Sequence, residues 1–417
     1  MNDQNYDVRD FGAIGDGKTL NTLAIQKAID TCAENGGGRV EIFGGVYLCG
    51  SIEMKSYVEL HIAGNAVLLG SADVKEYPER QNVKHVITAM LPRERNACLI
   101  FADECEHIAL TGDGTIDCNG HNFVRRRPAD RIDWKYERID APTPPRAVFF
   151  TGCQYVKIED VLMKNQPAGW SYWIHDCDYV TIDKIKIQAC VDYPNNDGIH
   201  VNCSRNVTIS NCDITCGDDC IVVRANSASL KENTVCEKVC VTNCNLTSYS
   251  AGVRIGWIND GTIRNCVFSN IIMTDTTVGI SLLIPRGKRP EFTDVGREET
   301  VVENLLFDNI VMNEVCYQSI LLQLSDNAHA LVKRIKNLQF SNIHAKGPHF
   351  FTLQGRKDCP LENISFHDCN FEVTDGTEFP DPLHHGAASY WEVGYKPCTV
   401  HYVKGWKMNN VEIDVGV

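Results

Sequence analysis

Two short acidic clusters carry the chemistry in this sequence, Asn195-Asn196-Asp197-Gly198 and Gly217-Asp218-Asp219-Cys220. Each lies in a run of the same design: a valine- and isoleucine-rich strand, a polar turn, then another short strand. If successive runs stack, Asp197, Asp218 and Asp219 converge on one open outer face. Crowded carboxylates repel one another, and the repulsion raises the pKa of one of them. A carboxyl that keeps its proton near neutrality can serve as general acid while an ionised neighbour activates water. Cleavage of the acetal bond between sugars needs that pairing. Without proton chemistry, the same cluster would be a structural aspartate ladder or a calcium site.

The runs that would hold these residues form a repeat. Val156-Lys157-Ile158-Glu159-Asp160-Val161 is followed by Val180-Thr181-Ile182-Asp183-Lys184-Ile185, Val207-Thr208-Ile209-Ser210-Asn211-Cys212 and Val239-Cys240-Val241-Thr242-Asn243-Cys244. Later copies begin at Leu305, Leu338 and Ile364. Apolar and polar residues alternate within each copy, the mark of a half-buried strand. A fixed period of this length points to stacked units. Leucine-rich repeats have a similar period, but their leucine and helix patterning is absent. The fold class predicted is all-β, a single-stranded right-handed parallel β-helix. Asparagine recurs at the strand ends, where a ladder of amides would satisfy the turns.

The stretch from Thr22 to Asn35 reads as an amphipathic helix, with Ala24, Ile25, Ala28, Ile29 and Cys32 on one stripe and Gly36-Gly37-Gly38 ending it. A solenoid exposes its core at its ends, so this helix is expected to be an N-terminal cap. Residues 1–417 are expected to form one domain: 1–70 the cap and first coils, 71–146 loops beside the groove, and 147–417 the regular coils. Arg125-Arg126-Arg127-Pro128 and Ala141-Pro142-Thr143-Pro144-Pro145 suggest loops in the middle part.

With 417 residues and 43% hydrophobic composition the chain can bury a large core. Its formal net charge of -14 argues against nucleic acid and anionic membranes as partners, and disfavours a long polyanionic substrate unless arginines line the site. The start, Met1-Asn2-Asp3-Gln4-Asn5-Tyr6, lacks an apolar signal segment, and no run approaches membrane-spanning length. Of the 20 cysteines, Cys203, Cys212, Cys220, Cys240, Cys244 and Cys266 fall in strand-like runs, where cysteine acts as a small buried hydrophobe. No paired hook for zinc is present. Free thiols and the absence of a signal segment point to a reducing, cytoplasmic setting.

Taken together, these motifs resemble glycoside hydrolase family 28, the polygalacturonase family, within the pectate-lyase-like β-helix superfamily. Val8-Arg9-Asp10-Phe11-Gly12-Ala13-Ile14-Gly15-Asp16-Gly17 resembles the superfamily's start, and Gly112-Asp113-Gly114-Thr115-Ile116-Asp117 an early coil. Asn195-Asn196-Asp197 is similar to the family's Asn-Thr-Asp, and Gly217-Asp218-Asp219 matches its Gly-Asp-Asp. The resemblance implies an inverting hydrolase with Asp218 as the acid, Asp197 and Asp219 holding the water, and no cofactor or metal. Two motifs depart from the family. Ser250-Ala251-Gly252 stands where Gly-His-Gly is expected, and Ser281-Leu282-Leu283 where Arg-Ile-Lys would grip a uronate carboxylate.

The candidate substrate-binding residues are Asn195, His200, Arg224, Arg254, Trp257, Trp170 and Trp173. His200 should share the outward face of Asp197 and could replace the missing histidine. Strand alternation turns Ile221, Val223, Val253 and Ile255 inward, so Arg224 and Arg254 point outward on neighbouring coils. The tryptophans lie at coil turns, where they could stack on sugar faces. The expected substrate is a short pectin-derived or plant oligosaccharide, attacked from its end, with a neutral residue such as rhamnosyl in the cleaved position. Three alternatives stay open: an exo-galacturonosidase whose clamp has moved to Arg224 and Arg254, a fructan-type transferase or lyase, and an inactive carbohydrate-binding solenoid. Self-association into a homo-oligomer is also left open.

Overall fold

The computed structural model describes residues 4–80, 96–128, 134–227, 230, 232–284, 298–324, 331–374 and 398–415. Strand after strand pairs in parallel with the strand one coil earlier and the strand one coil later, which makes a parallel β-helix. The copies read from the sequence are in register. Val156 lies opposite Val180, Val180 opposite Val207, and Val207 opposite Val239. Two residues on, Ile158, Ile182, Ile209 and Val241 form the next row, which Phe268, Phe307, Phe340 and Phe366 continue. These phenylalanine rings stack down the core with centroids 4.8–5.0 Å apart. A side chain at one row position thus meets its equivalent from the coils on either side, and the repeat's apolar residues close into one core.

The asparagines do form a ladder, and the backbone explains why the residue is asparagine. Asn211, Asn243, Asn270, Asn309 and Asn342 have φ between 51° and 57°, a left-handed corner that asparagine tolerates. Their amides link coil to coil, with Asn243 donating to Asn211 at 3.2 Å, Asn270 to Asn243 at 3.1 Å and Asn309 to Asn270 at 2.7 Å.

The helix spans Thr22–Glu34 and buries Ile25, Ala28, Ile29 and Cys32. It packs against the strands Gly38–Ile42, Ile52–Glu53 and Val58–Ile62. The stretch 71–146, expected to be loops, is built differently. It holds the strands Cys98–Asp103, Glu106–Thr111 and Thr115–Asp117, which pair above and below as a coil does. Its arginine-rich part is the antiparallel hairpin Val124–Arg126 with Tyr136–Arg138, outside the solenoid. Residues 81–95 and 129–133 of that stretch lie outside the described residues. All twenty cysteines are free, and most are buried. Cys240 is exposed, because Val239 and Val241 on either side of it take the inward positions. Among the described residues no helix is long and apolar enough to cross a membrane.

Candidate active site

The carboxylates sit on two turns that are stitched together. Asn195 adopts a left-handed φ of 54°. The side chain of Asn196 accepts from the backbone N–H groups of Gly217 and Asp218 at 2.8 and 3.2 Å and donates to the Cys190 carbonyl at 2.6 Å. The close approach of the turns requires both glycines of the motifs. A Cβ at Gly217 would lie 2.5 Å from the Tyr193 carbonyl oxygen, and one at Gly198 would lie 2.3 Å from that of Cys220. Parallel pairing then carries the chain on from both turns, with Ile199 opposite Ile221.

This stitching brings side-chain oxygens of Asp197, Asp218 and Asp219 within 4.8 Å of one another. They are not on an open face. Asp197 and Asp219 are 4% and 5% exposed, and Asp218 is half-buried. Each is held differently. Asp219 is engaged at both oxygens: its Oδ1 accepts from Ser250 Oγ at 2.6 Å and the Ala251 N–H at 3.1 Å, and its Oδ2 faces Arg254 at 3.4 Å. Asp218 accepts at Oδ2 from the Asn195 backbone N–H at 3.1 Å and its side-chain amide at 3.3 Å. Asp197 Oδ2 lies 2.8 Å from His200 Nε2, while its Oδ1 is buried with no hydrogen-bond partner among the described residues.

Burial and the neighbouring Asp197 and Asp219 charges push the Asp218 carboxyl well above the usual range, against the pull of Arg254. Burial and Asp219 raise Asp197 as well, opposed by its own backbone N–H, Arg254 and Arg138. A cluster of this kind retains a proton at neutral pH and can both give and take one. The spacing would also suit a cation, but the Arg254 guanidinium stands beside Asp219, where it would repel one.

The expected sugar contacts divide. Asn195 and His200 join the cluster. Arg254 joins it too, with its guanidinium 4.1 Å from the Trp257 ring centre in a cation–π contact. Arg224 does not: it is 2% exposed and bound to Asp260 by two parallel hydrogen bonds, so it is a packing element rather than a groove residue. Trp170 and Trp173 lie within the strand Trp170–His175, not at turns, and are 6% and 1% exposed. Their rings stack on each other at 4.5 Å, and Trp170 stacks on His200 at 4.2 Å, so they hold the imidazole instead of offering a face to a sugar. Arg146, fully buried, lies over both indoles and over Phe149, and burial lowers its pKa to about 10.

Sequence reasoning missed Arg138, Arg146 and Asp260. Arg138 arrives on the hairpin, which Tyr136 and Lys135 pin to the site turn through Tyr193 (ring centres 5.0 Å apart) and Asp192 (2.8 Å). None of the three lies in a repeating phrase, although Arg146 opposite Trp170 follows from strand register. Beyond Arg254 the outward row runs to Ser281 and Leu321. There Ala251, Val278, Leu283, Tyr317 and Leu321 form a small apolar cluster of their own, each at most 3% exposed. Of the positions where the family resemblance expects a histidine and a basic pair, Ala251 and Leu283 belong to this apolar cluster, and Ser281 is a buried hydroxyl.

Comparison with known proteins agrees with the geometry. The "Probable polygalacturonase" of Vitis vinifera is 28% identical over 69% of this chain and 58% of its own length. The exo-poly-alpha-D-galacturonosidase of Dickeya chrysanthemi is 24% identical over 76% of this chain and 56% of its own. The chain therefore spans little more than half the length of these relatives. The solved exopolygalacturonase of Thermotoga maritima superposes with a TM-score of 0.76 over 99% of this chain and 92% of that one, at 20% identity, a likeness of fold. The sequence profile described as Glycosyl hydrolases family 28 matches residues 91–379, well over half of the chain and both acidic turns. A solenoid whose adjacent turns gather three aspartates is the frame in which that match falls, and the chain belongs to glycosyl hydrolase family 28.

Proposed function

We propose that the protein is an inverting glycoside hydrolase acting on the ends of short pectin-derived or similar plant oligosaccharides. The observation that carries this reading is the gathering of the Asp197, Asp218 and Asp219 side-chain oxygens within 4.8 Å, where burial and the two neighbouring charges raise the Asp218 carboxyl well above its usual range. In the proposed step a water placed by Asp197 and Asp219 loses a proton to a carboxylate as its oxygen bonds the anomeric carbon. The glycosidic bond breaks, and the leaving oxygen takes the Asp218 proton. Attack at chain ends is supported by the exo-acting relatives from Dickeya and Thermotoga. A neutral residue such as rhamnosyl is favoured in the cleaved position, because Ser281 and Leu283 offer no cation to a uronate and Leu283 is packed in the apolar cluster. A panel of defined oligosaccharides with neutral or uronate ends tests the reading.

Two observations favour second readings. Arg254 remains beside the carboxylates, so a uronate could be gripped by it alone, without Arg224. The 4.8 Å spacing is also shorter than the roughly 6.5–9.5 Å usual for inverting pairs and nearer to the ~5 Å of retaining ones. Inversion is preferred because both oxygens of Asp219 are engaged by Ser250, Ala251 and Arg254, and His200 holds Asp197 through Oδ2. A lyase would instead make an unsaturated product absorbing in the ultraviolet, a transferase an anhydride or no net reducing end, and a binding-only solenoid no product. In this reading the helix Thr22–Glu34 caps the solenoid, the chain is one domain, and the twenty free thiols suit a cytoplasmic setting.

A further inference from the structure

His200 is buried inside the site rather than turned outward as a sugar ligand would be. Its side chain is 3% exposed, its Nε2 lies 2.8 Å from Asp197 Oδ2, and its ring is wedged against Trp170 and Trp173. Trp173 is its register partner on the preceding coil, so strand pairing itself sets the imidazole's place. The charged groups around the pair are Asp218, Asp219, Arg138, Arg146, Arg224 and Arg254. Three of these cations, with burial, hold the ring neutral, and a neutral imidazole can donate one N–H. Asp219 has donors on both its oxygens, and Asp197 has an acceptor atom to spare.

The geometry points to His200 as a positioning residue that fixes Asp197 through Oδ2 and leaves Asp197 Oδ1 as the single atom that receives the water's proton. This rests on the reading of the cluster as a hydrolytic site. It divides the labour between the two aspartates: Asp197 takes the proton, while Asp219, tied to Ser250, Ala251 and Arg254, orients the water. The balance is closed. One proton passes from water to Oδ1, the water oxygen bonds the anomeric carbon, and the Asp218 proton leaves with the sugar alcohol. The wedge of Trp170 and Trp173 has its purpose here, because a general base that turns by even 1 Å can lose about 10²-fold in rate.

The test compares His200→Leu, which has no donor, with His200→Gln, which keeps one. The free enzyme's base is read from the acidic limb of kcat/KM against pH. Removing a donor from a carboxylate raises its pKa, so in His200→Leu that limb should move to higher pH and kcat should fall about 10- to 100-fold, with KM little changed. His200→Gln should return the limb toward its original place. A rise in KM with the limb unmoved would overturn the proposal and make His200 a sugar ligand. Imidazole nitrogen NMR on the wild-type protein supplies a readout independent of turnover. A neutral ring protonated at Nε2 from pH 5 to 8 is expected. A ring that becomes cationic in that range, or carries its proton on Nδ1, contradicts the proposal. If the wild type cleaves nothing in the panel, the functional reading fails and the NMR result still decides the His200–Asp197 bond.

Discussion

Arg224 is bound to Asp260 through Nε at 3.1 Å and Nη2 at 2.8 Å, and both side chains are almost wholly buried. The pair closes the outer side of the strand that follows the Asp218-Asp219 turn, and Asp260 also accepts from the Ala225 N–H at 3.2 Å. Bidentate geometry of this kind is strong, and breaking it strands a buried charge. Arg224→Ala should therefore lower unfolding free energy by about 3–5 kcal/mol in denaturant titration. Among molecules that stay folded, the ratio of kcat/KM on neutral and uronate substrates should not change. A selective loss on the uronate would restore Arg224 to the groove.

Asp218→Asn should abolish turnover while leaving the fold and sugar binding intact. Losing a general acid costs on the order of 10²–10⁴ in rate. Circular dichroism and calorimetric titration with an intact oligosaccharide separate a chemical loss from a structural one. Near-normal activity would remove Asp218 from the acid's role.

The same substitution should stabilise the protein, and the sign follows from linkage. Burial and two neighbouring charges raise the folded pKa of Asp218 above that of the unfolded chain. The folded state then holds a proton that the unfolded state has lost. Stability therefore falls as pH rises from about 4 toward the folded pKa, by about 1.4 kcal/mol for each unit the two pKa values differ, before solvent screening of the half-buried side chain reduces it. Asp218→Asn removes that cost, so its Tm should exceed the wild type's near pH 7 and converge with it near pH 4. Equal Tm values at both pH values would show that the crowding is relieved in some other way.

Thiol titration under denaturing, non-reducing conditions should find essentially all twenty cysteines reactive, and most should be slow to react in the native protein. Burial pushes many of these thiols upward, Cys49 and Cys98 to about 12, which keeps them protonated and inert. Several disulfides would contradict the proposed cytoplasmic setting.

Much of the solenoid was legible because one alternating phrase fixes strand, direction and register together. The row Val156, Val180, Val207, Val239 needs no more than that pattern. Alternation also set which way Arg224, Arg254 and His200 point, but it carries no information about what covers an outward face. Trp170 and Trp173 point outward and are still buried, and the Asp260 that claims Arg224 lies in a segment with no period. The coil within 71–146 was hidden for a related reason: charged and proline-bearing segments, the hairpin among them, follow its strands.

The central claim is that Asp218 protonates the leaving group while water attacks from the opposite face of a neutral terminal sugar. Proton NMR during the first minutes of cleavage reads it directly, on two matched short oligosaccharides that differ only in a neutral or a uronate end. The expected result is a new reducing sugar of inverted anomeric configuration, formed at least about 10²-fold faster in kcat/KM from the neutral-ended substrate, the scale of a lost charged clamp. A product of retained configuration, an unsaturated product absorbing in the ultraviolet, or faster cleavage of the uronate would contradict it.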